Sequence, residues 1–204
     1  MQKISEFVPL AGRVRSVAGR SSAAKTGLFL LMAYLFLWVP DLDFLLLDLL
    51  HHRSIVTHSV LPALVLILLG WRTGAAPITG ALVGIAVHLS CDLRSPMVGY
   101  GQIWLPEPYQ IPLGPFSYPW LAANAFLAFI WARRLAVRSL PDPYGSLLVA
   151  ATGTITAVTY GWVNEEAVSA VIVTMAIFLL SYVGPYLSSR RQVKKDRQAK
   201  PEDG

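Results

Sequence analysis

The chain has 204 residues, of which 54% are hydrophobic and only 14% charged, with a net charge of +5. Soluble domains carry about 25% charged residues, so this composition excludes an ordinary soluble fold. A single cysteine, Cys91, excludes an intramolecular disulfide.

Six apolar segments, roughly 22–42, 55–71, 74–93, 118–132, 146–163 and 167–187, approach the ~20 residues that cross a bilayer core. They predict an all-α, polytopic transmembrane helical bundle of about six spans. Its parts are a basic N-terminal segment (1–24), one membrane domain (25–189) and a basic cytoplasmic tail (190–204), with no room for a second domain. In the N-terminal segment Ile4, Phe7, Val8, Val14 and Val17 recur near helical spacing, and Arg13, Arg15 and Arg20 supply a basic face. That pattern predicts a helix lying on the inner leaflet; a disordered basic segment is the alternative.

The first apolar run, Gly27 to Val39, follows a basic stretch as a secretory signal does, but no small-residue cleavage site follows it. It ends in Pro40-Asp41-Leu42-Asp43, and is expected to remain as an anchor. In the second segment the strictly apolar stretch Val60–Trp71 has 12 residues, about 18 Å of helix against a ~30 Å core. The span is therefore expected to take in Thr57 and His58, with a helical entrance at Arg53-Ser54-Ile55-Val56-Thr57-His58-Ser59. The third segment carries His88 and Asp92, four residues apart and so on one helical face. Between the third and fourth segments, residues 94–117 hold five prolines among Tyr100, Trp104, Tyr109 and Phe116. Such proline density forbids a regular helix. The loop reads as a lid or lipid-contacting rim over the outer surface, or as a plain connection with interfacial aromatics. The last three segments hold no recognisable motif, and the tail after Ser189 is solvated, touching anionic lipid.

With six spans and an inner N-terminus, 15 of the 17 Lys and Arg residues fall on the inner side, leaving Arg53 and Arg94 outside. This asymmetry orients the chain with both termini cytoplasmic, as in a bacterial inner membrane. It also accounts for the basic charge without nucleic acid. All four histidines, His51, His52, His58 and His88, then lie on the outer side with the acids of the first three segments.

Ionisable groups in or beside a span face a cavity or a partner and mark a function. Asp41 or Asp43 alone reads equally well as an interfacial cap, and a helical His-x-x-x-Asp alone is more often a hydrogen-bonded pair. Together, Asp41, Asp43, His58, His88 and Asp92 form a mixed O/N donor set suited to one or two divalent ions, with zinc or manganese favoured and iron possible by ligand type. Cys91 is a minor candidate ligand, and the hydroxyls of Thr57 and Ser59 are candidates to support the ligands. Arg53 beside the acids either balances charge, holds a phosphate or carboxylate of a substrate, or touches lipid headgroups. His51 or His52 is the candidate proton carrier.

Pro40-Asp41-Leu42-Asp43, then His52-Arg53 before Thr57-His58-Ser59, then His88-Leu-Ser-Cys-Asp92, then a glycine-containing loop reaching Trp104-Leu105-Pro106, resemble the LexA-regulated (LexA-binding), inner-membrane-associated metal-dependent hydrolase family over about residues 25–110. Arg53 stands four residues before Thr57 where the family pattern has three. The resemblance implies a metal-dependent membrane hydrolase with Asp41, Asp43, His58, His88 and Asp92 as ligands, and leaves the substrate open. The expected activity is hydrolysis of a phosphoester in a lipid-linked or amphiphilic substrate at the outer face, with Arg53, His52 and Thr57 assisting. Two other classes fit the same residues: a metal-ion or proton transporter, and a non-catalytic scaffold with a structural metal.

Overall fold

The computed structural model describes residues 22–70, 74–94, 102–140 and 143–182. In chain order they form α1 (Ser22–Leu35), a 3-10 segment (Pro40–Leu46), α2 (Leu47–Leu50), α3 (Leu61–Gly70), α4 (Ala75–Asp92), a 3-10 turn (Gly114–Phe116), α5 (Ser117–Ser139), α6 (Tyr144–Val163) and α7 (Val168–Tyr182). The fold is all-helical, with no β-strand among the described residues.

The central helix is the one richest in small residues. α4 reads AAPITGALVGIAVHLSCD, and every residue after Ala75 is buried. Its proline, Pro77, falls in the first turn, where a missing N–H costs nothing. α1, α5 and α6 pack around it. Gly80 and Gly84, one turn apart, let α1 approach backbone to backbone: a Cβ at Gly80 would lie 2.0 Å from the Phe29 carbonyl oxygen, and one at Gly84 2.4 Å from that of Ala33. Phe29, Leu82, Ile85, Leu89, Leu121 and Phe129 fill the surrounding core.

Three helices are long and apolar enough to cross a membrane: Ala75–Asp92, Gly114–Arg138 and Tyr144–Val163. A fourth crossing is possible if the bent pair Ser22–Leu35 and Pro40–Leu50 counts as one span, its halves meeting at 51°. Pro40 begins the second half, where the ring removes a backbone donor and φ is fixed. Among the described residues three or four crossings are thus present of the six expected from hydropathy. The described part of α3 has 10 residues, about 15 Å of helix, and that of α7 runs from Val168 to Tyr182. The expected helical entrance to the second segment does not form. Residues 51–60 run as turns, so Thr57 and His58 stand on irregular backbone. That chain reverses at His51 and Arg53, whose φ angles of +62° and +61° are left-handed, a strained choice for non-glycine residues.

The loop after α4, described from Gln102, is irregular there, as its prolines require. From Gln102 on it is tied to the histidine-bearing turns: the Ile55 N–H donates to the Trp104 carbonyl at 2.8 Å, the Trp104 N–H to that of Arg53 at 3.0 Å, and the Glu107 N–H to that of Leu49 at 2.9 Å. The basic segment 1–24, apart from the first residues of α1, and the tail 190–204 lie outside the described residues.

Candidate metal centre

Three stretches converge at the C-terminal end of α4. Asp41 and Asp43 come from the 3-10 segment, His58 from the turns before α3, and His88 and Asp92 from α4 itself. Because the His58 segment has no helix to hold it, its position depends on tertiary bonds. The Trp120 indole N–H donates to the His58 carbonyl at 2.9 Å, and the Val60 N–H donates to Asn124 Oδ1 at 3.1 Å. Both partners belong to α5. Ser59, a candidate helper of the ligands, instead donates to the Val56 carbonyl and accepts the Leu61 N–H at the start of α3.

The neighbours of each imidazole fix its tautomer. His88 Nδ1 lies 2.8 Å from the Leu37 carbonyl oxygen. A carbonyl only accepts, so Nδ1 carries the proton, and the Tyr160 oxygen, 2.9 Å away, shares it. His58 Nδ1 lies 3.1 Å from Thr57 Oγ1 and 3.4 Å from Asp43 Oδ2. Thr57 already donates its hydroxyl proton to that same Asp43 oxygen at 2.8 Å, so both oxygens accept from His58 Nδ1–H. In each ring, when neutral, Nε2 then carries the lone pair.

Both Nε2 lone pairs face carboxylate oxygens. Asp92 Oδ2 is 3.4 Å from His58 Nε2 and 3.3 Å from His88 Nε2; Asp41 Oδ1 is 3.9 Å and 3.7 Å from the same two atoms. None of the three buried atoms, His58 Nε2, His88 Nε2 and Asp92 Oδ2, has a hydrogen-bond partner. The separations exceed the roughly 2.7–2.9 Å of a charge-assisted N–H···O bond. The two Asp92 separations match the edge of a tetrahedron, about 3.3–3.5 Å, around an ion with ligand bonds of about 2.1 Å, and the two Asp41 separations are longer. Acceptors facing acceptors across such gaps repel unless a cation lies between them. Asp41, His58 and His88, each turning a ligand atom to within 4.8 Å of the others, therefore form a group that can hold a metal ion.

No family model, curated protein or solved structure matches the chain.

The remaining sequence candidates fall into place around this group. Asp43 stands behind His58, not among the atoms that face the ion position. Its Oδ1 accepts from His52 Nδ1 at 3.1 Å, and its Oδ2 from the Ser54 N–H at 3.2 Å and from Thr57. With its oxygens so engaged, it holds the His58 imidazole from the Nδ1 side. Sequence alone does not separate Asp41 from Asp43, because the 3-10 turn that aims them differently is a tertiary outcome. Arg53 is buried, and its guanidinium lies 3.6 Å from Asp92 Oδ1, the oxygen turned away from the imidazoles. Buried beside that carboxylate, it is placed to balance its charge. His52 sits half-buried at the rim, stacked on Phe44 at 4.0 Å, and His51 stacks on Trp104 at 4.2 Å. Cys91 points away, to the Thr174 hydroxyl at 3.4 Å.

One residue with no sequence signal joins the site from the second half of the chain: Tyr160 on α6 touches His88 from behind. Glu165, in the turn after α6, is only 6% exposed and its Oε2 has no hydrogen-bond partner.

Proposed function

We propose that this protein is a membrane-embedded, metal-dependent hydrolase acting on a phosphoester of a lipid-linked or amphiphilic substrate. One observation carries the reading: the Nε2 atoms of two buried imidazoles face the carboxylates of Asp41 and Asp92 with no hydrogen-bond partner, and Asp41 remains 29% exposed. A structural metal is enclosed on all sides, whereas a catalytic one keeps an open position. The partial exposure of Asp41 supports the second.

Asp41, His58, His88 and Asp92 are the ligand set, for zinc or manganese by donor type. A divalent ion there supplies Lewis acidity and a water ionised near neutral pH. The protein's own groups set the stage. Asp43 and Thr57 hold His58 through Nδ1, and the Leu37 carbonyl and Tyr160 hold His88 through Nδ1, so both rings present Nε2. Arg53 fixes Asp92 through its outer oxygen. His52, bonded through Nδ1 to Asp43 and open to the rim, carries protons away. The proposed location is the face opposite the termini of a bacterial inner membrane, which rests on the charge asymmetry, and the motif resemblance supports the reaction class.

The test begins with metal. Protein purified in detergent is expected to contain about one equivalent of zinc or manganese by elemental analysis and to cleave bis(p-nitrophenyl) phosphate. His58→Ala and His88→Ala are expected to lose both properties. A wild-type protein that binds no transition metal overturns the reading.

A further inference from the structure

The 3-10 segment carries Asp41 and Asp43 inward and its apolar side chains outward. Asp43 is fully buried and Asp41 lies at the site, whereas Leu42, Phe44, Leu46 and Leu49 are each about half exposed and Leu45 is 78% exposed. An exposed apolar patch of this extent is not a surface that water tolerates cheaply. Phe44 stacks on His52 at the rim, and the leucines stay open.

Its continuity says what covers it. The exposed side of α1, with Leu28, Leu31, Tyr34 and Leu35, leads through Pro40 directly into this segment across the 51° bend. A membrane that surrounds α1 therefore meets the segment next. At the far end, Ile111 and Phe116, also exposed, extend the apolar rim on the loop that is bonded to Leu49 through the Glu107 N–H. Asp48 limits the depth. It is exposed between Leu47 and Leu49, and a carboxylate in the hydrocarbon centre is costly, so the segment lies shallow, at the level of the headgroups and upper acyl chains.

We infer that Pro40–Leu50 is a ledge embedded in the upper acyl layer of one leaflet, that it holds Asp41 at headgroup depth, and that the metal site opens sideways into that leaflet. Its partner is the surrounding lipid. The substrate class follows, resting on the hydrolase reading above: an amphiphile whose hydrocarbon tail stays among the acyl chains beside Leu42 and Leu45 while its phosphoester reaches Asp41. A soluble phosphoester has no use for a leucine ledge.

The depth test is independent of activity. Nitroxide labels are placed singly on Leu45→Cys, Leu46→Cys and Asp48→Cys in the full chain, Cys91 being buried, and the protein is put into liposomes of phosphatidylglycerol and phosphatidylethanolamine. Labels at 45 and 46 are expected to relax faster with dissolved oxygen than with a water-soluble nickel chelate, and the label at 48 is expected to show the reverse. Chelate access at 45 and 46 overturns the ledge. So does dipolar broadening between like labels, which means that a second copy of the chain covers the patch. For the substrate class, metal-loaded protein in the same liposomes is given dioleoyl phosphatidic acid or bis(p-nitrophenyl) phosphate. Cleavage of the lipid is expected. Cleavage of the soluble ester alone overturns the sideways opening and leaves the hydrolase reading standing; cleavage of neither removes the hydrolase reading and with it the substrate class, while the label measurements still decide the ledge.

Discussion

A single methyl group at Gly84 is expected to weaken metal binding without touching any ligand. Its Cβ would lie 2.4 Å from the Ala33 carbonyl oxygen, 2.9 Å from the Phe36 carbonyl carbon and 3.0 Å from the Leu37 nitrogen. Every one of these atoms is backbone, so no rotamer change relieves the clash. To restore ordinary contact distances the end of α1 must retreat by about 1 Å. The Leu37 carbonyl, which accepts the His88 Nδ1 proton at 2.8 Å, moves with it and passes out of hydrogen-bonding range. Asp41, four residues further along, is carried away from His88. Loss of a bond that orients a metal-binding histidine costs about 10–100-fold in affinity, and overpacking adds about 1–3 kcal/mol of destabilisation. Gly84→Ala is therefore expected to raise the zinc dissociation constant at least tenfold in competition with a chromophoric chelator, and to lower Tm. Gly153→Ala is the control. There the new Cβ meets only the rings of Phe178 and Phe129, at 3.5 Å and 3.7 Å, which is ordinary contact. A Gly84→Ala protein that binds zinc within twofold of the wild type, or a Gly153→Ala protein that loses as much, refutes the claim that close approach of α1 and α4 builds the site.

Four further outcomes follow from the geometry. Asp43→Asn is expected to weaken zinc binding by about 10–100-fold, whereas Asp41→Ala and His58→Ala abolish it; equal losses would return Asp43 to the ligand set. Tyr160→Phe leaves the Leu37 carbonyl in place and is expected to change zinc affinity only a few fold, measured by the same competition. Glu165→Gln removes a charge from a buried carboxylate whose Oε2 has no hydrogen-bond partner, and is expected to raise Tm by roughly 2–4 °C for about 1 kcal/mol with zinc affinity unchanged. Stripping the metal with a chelator is expected to lower Tm, since an ion at 100 times its dissociation constant stabilises the folded state by about 2.7 kcal/mol; His88→Ala protein should show no such response.

How much of this was written in the chain depends on the range of the physics. Hydrophobic run length and the cost of ionisable groups near apolar segments are local quantities, and they suffice to pick out an all-helical protein and to gather Asp41, Asp43, His58, His88 and Asp92 as one set. The spacing of His88 and Asp92 is equally local, because the helix that carries both is regular. Run length could not say that 51–60 is a chain of turns. That outcome depends on the Trp104 backbone, on Trp120 and on Asn124, which are 50 to 70 positions away. Nor could run length say that the described length of α3, apolar throughout, is 10 residues.

Sequence by itself determined which residue types meet at the metal centre; only the tertiary structure decided what each one does there. The difference between Asp41, which faces the ion position, and Asp43, which stands behind His58, is a matter of one 3-10 turn and which side of an imidazole it reaches. The roles of the Leu37 carbonyl and of Tyr160 are invisible in composition or spacing, because an orienting hydrogen bond is set by direction at about 3 Å. Gly80 and Gly84 make that direction possible by bringing two backbones together, and a glycine pair in an apolar helix does not announce what it will touch.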